Sequence, residues 1–241
     1  MKYMGSKSRI AKDIVPIIQK YLDEGDYKYY IEPFCGGCNV IDKINFPRKV
    51  ASDKQHYLIE LFKNIHRLKD LPQTFVKREH YNEVREAYNT KNGKFEDWYI
   101  GAIGFLASYN GRFFDGGYAG TSMERGKVRN YYDETFRNLK KQVPDLLGIK
   151  FYEMDYTALK CSNCLIYCDP PYAGTKKFIT SRDFNHDNFW QWCRDMSKNN
   201  TVIISEENAP EDFTCIWEQE VKRTIKTDNK VTKLEKLYIY K

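Results

Sequence analysis

The stretch Tyr27-Lys28-Tyr29-Tyr30-Ile31-Glu32-Pro33-Phe34-Cys35-Gly36-Gly37 decides the fold class of this chain. Its first half, 27–31, is rich in aromatic residues and predicts a short strand. The two glycines that follow allow a tight turn in which a ligand can approach the backbone. A second strand, predicted over 49–51, runs into Asp53. A strand, a glycine turn, another strand and an acidic residue are together typical of a nucleotide-binding α/β half.

The residues before this stretch predict a helix. Apolar side chains recur there at helical spacing, at Ile10, Ile14, Ile17, Ile18 and Tyr21. Pro16 lies inside the pattern, and because proline lacks a backbone N–H we expect a kink or a break at that point.

The residues after the stretch predict one α/β domain, 1–55 and 148–241, interrupted by a mostly helical insert, 56–147. A helix should follow Asp53, with Leu58, Leu61, Phe62, Ile65 and Leu68 on one face. The insert adds a helix around 95–106 and a glycine-rich loop, 110–118. Strands are then predicted over 150–155, 165–168, 202–205, 214–217 and 236–240, with a helix from Asp187.

Composition excludes several classes of protein. The chain has 241 residues, of which 41% are hydrophobic and 30% charged, as in an ordered globular protein. No apolar run approaches the roughly 18 residues that span a bilayer, and residues 1–7 lack the apolar core of a signal peptide. The seven cysteines form an odd set, which favours reduced thiols and a cytoplasmic location over a disulfide framework.

The charge is concentrated in the middle of the chain. Residues 61–150 hold 16 Lys/Arg against 11 Asp/Glu, whereas the remaining residues hold 23 against 22. A basic segment with many aromatic residues suits a polyanion, because phosphates attract cations and bases stack on rings. An ordinary solvated surface explains the same imbalance, and both interpretations stay open on charge alone.

The motif Asp169-Pro170-Pro171-Tyr172 is the strongest chemical signal. It directly follows a predicted buried strand, and open α/β sheets bind ligands where strands end. The prolines rigidify the turn, the Asp169 carboxylate and nearby carbonyls are fixed acceptors, and Tyr172 offers a flat face. This set of groups suits a planar aromatic amine held by its two N–H bonds.

The glycine turn and Asp53 predict a nucleoside site. An acidic residue at the end of the next strand can accept hydrogen bonds from ribose hydroxyls. The turn is not Gly-x-Gly-x-x-Gly, and no helix N-terminus is arranged for a pyrophosphate. A nucleoside cofactor without phosphates therefore fits better than NAD.

Taken together, these motifs resemble the Dam-type DNA adenine-N6 methyltransferases. The resemblance rests on Tyr3-x-Gly5-x-Lys7, the residues from Glu32 to Gly37, Asp53 and the 169–172 motif, in that order along the chain. It covers essentially the whole chain, although the insert matches only loosely. Cys38 stands where the family usually has glycine or another small residue.

The resemblance implies S-adenosylmethionine as cofactor and a Rossmann-like methyltransferase sheet with helices on both faces. It implies that Asp169 and the Pro170 carbonyl accept the two N6–H bonds of a flipped-out adenine, and that Tyr172 stacks on it. The implied cofactor residues are Tyr3, Lys7, Phe34, Gly36, Asp53, Asp155 and Asp169.

The insert is the predicted DNA-recognition segment. Its candidate contacts to double-stranded DNA are Asn110, Arg112, Tyr118, Arg125, Lys127, Arg129 and Arg137. We expect a monomer that needs neither a metal nor a membrane. The sequence favours neither a solitary enzyme nor one paired with a restriction nuclease.

Three alternatives compete with this interpretation. Cys35/Cys38 and Cys161/Cys164 have zinc-ribbon spacing within each pair, but the pairs lie far apart and the first falls in the predicted cofactor turn. An RNA-adenine or protein-glutamine methyltransferase shares the chemistry, but glutamine enzymes carry Asn at the position of Asp169. A catalytically idle DNA-binding module would have no use for the acceptors at 169 and 172.

Overall fold

A computed structural model describes residues 1–124, 126–172, 184–225 and 229–241, without the side chains of 222–225 and 229–233. The α-helices are α1 (Ala11–Glu24), α2 (His56–Lys63), α3 (Arg78–Thr90), α4 (Asp97–Leu106), α5 (Tyr131–Leu146) and α6 (His186–Ser197). The strands are β1 (Tyr29–Glu32), β2 (Lys49–Asp53), β3 (Thr121–Glu124), β4 (Lys127–Asn130), β5 (Lys150–Glu153), β6 (Cys164–Cys168), β7 (Thr201–Glu206), β8 (Phe213–Ile225) and β9 (Asn229–Tyr240).

Seven strands form the central sheet, in the order β5-β2-β1-β6-β7-β9-β8. The strands from β5 to β7 are parallel, whereas β9 is antiparallel to both β7 and β8. On one side of β1 lie β2 and then β5, and on its other side lie β6 and then β7. The strand order therefore reverses between β1 and β6. Crevices at such reversals are where doubly wound sheets bind ligands.

Helices cover both faces of this sheet. Successive side chains of a strand point to opposite faces, so Tyr30 and Leu165 join one core while Ile31 and Ile166 join the other. The first core takes its helical side chains from the five helices α1 to α5, and the second from α6. The predicted Rossmann-like α/β class is confirmed.

Residues 56–147 are mostly helical and share the first core with the sheet. Leu58 of α2 and Ile103 of α4 belong to the same buried cluster as Leu165 of the central strand. The segment also contains the antiparallel hairpin of β3 and β4, which the sequence analysis did not predict. Other residues of the same segment, among them Arg85, Tyr88 and Phe105, line the crevice where the strand order reverses.

Three predicted elements differ from the structure. The helix α1 runs unbroken past Pro16, whose ring lies on its exposed face. The helix after Asp53 ends at Lys63 and does not reach Leu68, because the Asn64 side-chain amide donates to the Glu60 carbonyl (3.0 Å) and a 3-10 helix follows. The two closing strands are longer than predicted and pair as one extended hairpin.

Neither a membrane span nor a metal cluster occurs in the described ranges. No helix there is long and apolar enough to cross a bilayer. No group of three or more His, Cys, Asp and Glu side chains within the same ranges is arranged to hold a metal ion.

Candidate active site

A cavity of about 550 Å³ opens where the strand order reverses, beyond the carboxyl ends of β1 and β6. Its walls carry Glu32 and the glycine turn from β1, Asp53 from β2 and Asp169 from β6. The volume lies within the range usual for small-molecule and cofactor sites. The topology therefore brings together two motifs that are more than a hundred residues apart in sequence.

Gly36 is required by the shape of the first turn. Its φ is +44°, and a Cβ at this position would lie 2.9 Å from the ring of Tyr3. Its backbone N–H donates to the Asp53 carboxylate (3.2 Å), and the N–H of Gln55 donates to the other carboxylate oxygen (3.0 Å). The turn after β1 and the end of β2 are thus fixed to each other by backbone geometry that a larger residue would disturb.

Burial raises the pKa of the Asp53 carboxyl above its ordinary value, although the hydrogen bonds from Gln55 and Gly36 partly offset this effect. A carboxyl that is drawn into a cavity wall loses hydration, which penalises its charged form. Burial and these hydrogen bonds therefore act in opposite directions on the charge state of Asp53.

Phe34 is the aromatic wall of the cavity. Its ring packs against Tyr156 (5.2 Å between centroids), Phe189 (5.7 Å) and Phe184 (5.9 Å). Asp155 lies exposed at the rim, where its carboxylate accepts hydrogen bonds from the N–H and hydroxyl of Thr157 (3.0 and 2.7 Å). A flat apolar surface beside carboxylates suits a ligand with an aromatic ring and hydroxyl groups.

The second turn begins where β6 leaves the core. All five residues of β6 are buried, and Tyr167 near the end of the strand and Asp169 just after it both line the cavity. The buried ammonium of Lys7 lies 2.7 Å from one of its carboxylate oxygens. The same ammonium lies 4.2 Å from the centroid of the Tyr172 ring, so the N-terminal segment and the turn meet in one charged cluster.

The structure brings all the predicted cofactor and catalytic residues to this single cavity. Its lining includes Tyr3, Lys7, Phe34, Gly36, Asp53, Asp155, Asp169, Pro170 and Tyr172. Of the predicted DNA contacts that the structure describes, only Arg112 lines it as well, and its guanidinium pairs with Asp115.

The other insert candidates that the structure describes do not line the cavity. Asn110 is exposed, with a φ of +56°, and Lys127 is exposed on the hairpin. The Tyr118 hydroxyl donates to the Val76 carbonyl inside the segment. Arg125 lies outside the described residues.

Two of these candidate cations already have carboxylate partners. Arg129 pairs with Glu134 (2.7 Å) and Glu124 (3.2 Å), and Arg137 pairs with Asp133 (3.0 Å). Such pairing reduces what a side chain can offer to a phosphate, because the carboxylate competes for the same donors.

One face of α3 was missed by the sequence analysis. Tyr81, Val84 and Ala87 of this helix are buried, and on the adjacent face Arg85, Tyr88 and Asn89 line the cavity. The spacing of 85, 88 and 89 is that of neighbours on a helix surface, so the signal was present in the sequence.

Three further missed residues support the two turns. The Gln142 amide, from α5, donates to the carbonyls of Gly37 (3.1 Å) and Cys38 (2.9 Å). Ser205 and Glu235 hold the hydroxyl of Tyr172 (3.0 and 2.7 Å). No role was predicted for these residues, because each belongs to an element distant in sequence from the turn that it supports.

Comparison with known families assigns this arrangement. Residues 3–198 match the D12 class N6 adenine-specific DNA methyltransferases. The chain belongs to this family. The methyltransferase therefore acts on N6 of adenine at specific sites in DNA and uses S-adenosylmethionine, as the resemblance of its motifs implied.

Two curated relatives have the same type of activity in their names. The methyltransferase is 29% identical over 218 residues to the type II methyltransferase M.MjaIII of Methanocaldococcus jannaschii, covering 78% of this chain and 75% of the relative. It is 23% identical over 217 residues to the type II methyltransferase M.FokI of Planomicrobium okeanokoites, covering 80% of this chain but 31% of the relative.

Among solved structures, the methyltransferase is similar to the rRNA methyltransferase aviRa from Streptomyces viridochromogenes. The TM-score is 0.44 at 10% identity, with 99% of this chain and 86% of the other covered. This likeness adds nothing to the family assignment.

The residues of the cavity fit S-adenosylmethionine. Gly36 lines the cavity with its Cα packed beside the Tyr3 ring, while Asp53 accepts hydrogen bonds and Phe34 presents an aromatic surface. When bound, the cofactor supplies an electrophilic methyl group on a sulfonium. The family assignment and the shape of the cavity agree.

Proposed function

We propose that the methyltransferase takes an adenine flipped out of double-stranded DNA into this cavity and methylates it there. One observation carries the proposal: Asp169 and Tyr172 line the same cavity as Gly36 and Asp53. Acceptors for an amine and acceptors for a nucleoside cofactor are thus placed side by side. An atom on the edge of a stacked base cannot reach such a recess, so the base must leave the duplex.

The catalytic turn increases the nucleophilicity of N6. The lone pair of an exocyclic amine is delocalised into the adenine ring. Asp169 and the Pro170 carbonyl accept the two N–H bonds, which favours a more pyramidal nitrogen, and the negative charge of Asp169 stabilises the positive charge that develops on it. Tyr172 stacks on the base and holds it in place. Much of the rate comes from holding the reacting atoms at attack distance.

The opposite wall holds the cofactor. We assign Asp53 to the ribose hydroxyls and the Gly36 backbone to close approach, with Tyr3, Phe34 and Asp155 completing the pocket. Lys7 lines the same cavity, and its ammonium pairs with Asp169 of the catalytic turn. The site is therefore built from both turns together.

Residues 56–147 hold the duplex over the cavity. Arg85 and Asn89 lie exposed on α3 at its wall, and Lys127 lies exposed on the hairpin. Cations of this kind bind phosphates, and Arg and Asn side chains also read base edges in the major groove. The carboxylates that pair with Arg129 and Arg137 make these two arginines weaker contributors than the sequence alone suggested.

The names of the relatives support a proposal for the biological setting. Because both are named type II methyltransferases, we propose that this enzyme is the modification partner of a restriction nuclease.

We also propose a cytoplasmic monomer. The seven free cysteines support a reducing cytoplasm, and a monomer suits an asymmetric site for one base. Light scattering measures the oligomeric state, and resistance of methylated plasmid to cleavage at the modified site tests the pairing.

The direct test of the function uses labelled S-adenosylmethionine and plasmid DNA. Modified adenines are then located by single-molecule sequencing. We expect label in adenine at one recurring sequence for the wild type and no label for the Asp169→Ala variant. Label in RNA or protein alone, or in no substrate, would contradict the proposal.

A further inference from the structure

A buried carboxylate on β9 lies behind the catalytic turn. Glu235 does not line the cavity, and its side chain is 5% exposed. One of its oxygens accepts a hydrogen bond from the Tyr172 hydroxyl (2.7 Å) and lies 3.7 Å from the Lys7 ammonium. Glu235 therefore contacts both Tyr172 and Lys7, which lie at the proposed base site, but does not itself reach the base.

The Lys7 ammonium requires this carboxylate. Lys7 is 8% exposed and lies between Asp169 (2.7 Å) and Glu235 (3.7 Å). A buried ammonium is tolerated only where opposite charges and acceptors replace its hydration. Without Glu235, Asp169 would be the one carboxylate of these two still paired with Lys7. The ammonium would then interact more strongly with Asp169, which should accept the N6–H bond.

The Tyr172 ring is oriented by the same cluster. Glu235 and Ser205 hold its hydroxyl, and the Lys7 ammonium lies 4.2 Å from the ring centroid. The cation lies over one face of the ring. A ring that is fixed at its hydroxyl and covered on one side loses little conformational freedom when the base arrives.

We propose that Glu235 is a positioning residue for methyl transfer, acting through the Tyr172 hydroxyl and the Lys7 ammonium. This inference rests on the proposed roles of Asp169 and Tyr172. It adds a carboxylate from the antiparallel strand β9 to the groups that the ends of the parallel strands contribute.

The effect of Glu235 should be on chemistry and not on cofactor binding. A hydrogen bond to a charged acceptor contributes about 1.5–3 kcal/mol, so Glu235→Ala should slow single-turnover methyl transfer roughly 10- to 100-fold. Glu235→Gln should cost less, because its amide oxygen still accepts from Tyr172. The affinity for S-adenosylmethionine should remain within about twofold of wild type in both variants, since Glu235 does not line the cavity.

The matched control is Glu218→Gln, which changes an exposed carboxylate on the neighbouring strand β8. It should leave the transfer rate unchanged. If Glu235→Ala fails to fold, as judged by thermal melting and cofactor binding, the isosteric Glu235→Gln variant decides the question.

A double-mutant cycle with Tyr172→Phe tests the route of the effect. If part of the effect runs through the hydroxyl, Glu235→Ala should slow transfer by a smaller factor in the Tyr172→Phe background than in the wild-type background. Losses that multiply, or a Glu235→Gln enzyme with wild-type rate, would overturn the inference while leaving the proposed function intact. A wild-type enzyme that does not methylate adenine in DNA would overturn both.

Discussion

The backbone N–H of Gly36 donates to the Asp53 carboxylate across 3.2 Å and so joins the turn after β1 to the end of β2. This bond leaves acceptor capacity on Asp53 that can face a ligand in the cavity, because a carboxylate has about four lone-pair sites. The relationship makes the carboxylate both a support of the turn and the candidate acceptor for ribose hydroxyls.

Asp53→Ala should weaken binding of S-adenosylmethionine by about 1.5–3 kcal/mol, because the variant cannot accept charge-assisted hydrogen bonds. Isothermal calorimetry measures the change. The control is Asp195→Ala, which removes an exposed carboxylate on α6 and should bind the cofactor as wild type does. Unchanged affinity in Asp53→Ala would remove this residue from the site.

Cofactor binding should depend on pH through Asp53. Burial raises the pKa of this carboxyl, so its proton is taken up at a higher pH than the value of about 3.9 for an ordinary Asp. The protonated form is a poorer acceptor, and affinity should therefore fall as the pH drops through the raised pKa. Titration of affinity against pH should show this fall in wild type and its absence in Asp53→Asn. An identical pH profile in the two proteins would contradict the assignment.

DNA binding should weaken with salt according to the number of phosphates held. Arg85→Ala and Lys127→Ala should each reduce the slope of log affinity against log salt by about 0.9, the value for one phosphate. The control is Arg194→Ala, which removes a cation on α6 that is paired with Asp212. This variant should leave the slope unchanged. If both insert variants also keep the wild-type slope, the duplex lies elsewhere on the protein.

Tyr172→Ala should affect capture of the base more than cofactor binding. Removal of a stacking face costs about 1–3 kcal/mol per base. A fluorescent adenine analogue at the target position reports the flipped state, and its signal should require more enzyme in the variant. A variant that captures the analogue as well as wild type does would show that the ring is not the stacking surface.

The two turns of the site could be predicted from sequence because each is a local pattern. The apolar run 164–168 ends at Asp169, and the glycines at 36 and 37 follow a strand, so parallel pairing of β1 and β6 was enough to bring both turns to one edge. The antiparallel insertion of β9 was not predicted, and with it Glu235 was missed. A single glutamate in a strand of alternating polarity carries no signal of the distant tyrosine that it binds.

The insert was predicted less well for a physical reason. Arg129 and Arg137 were selected for their charge, but the sequence analysis did not anticipate the carboxylates at 133 and 134 as their partners. Tyr118 was selected from a loop motif, and its hydroxyl is used inside the segment. Arg85 was not selected, and the structure places it on the face of α3 that lines the cavity.

The account depends most on Asp169 as an acceptor for the amine of adenine, and Asp169→Asn tests this role directly. The amide keeps the shape of the side chain but carries no negative charge, and its NH₂ group would repel the amine. Removal of one electrostatic stabiliser of a transition state costs about 10²–10³ in rate. Single-turnover methyl transfer with saturating cofactor and DNA should slow by that factor, with cofactor affinity retained. A folded Asp169→Asn enzyme that methylates adenine at the wild-type single-turnover rate would contradict the mechanism.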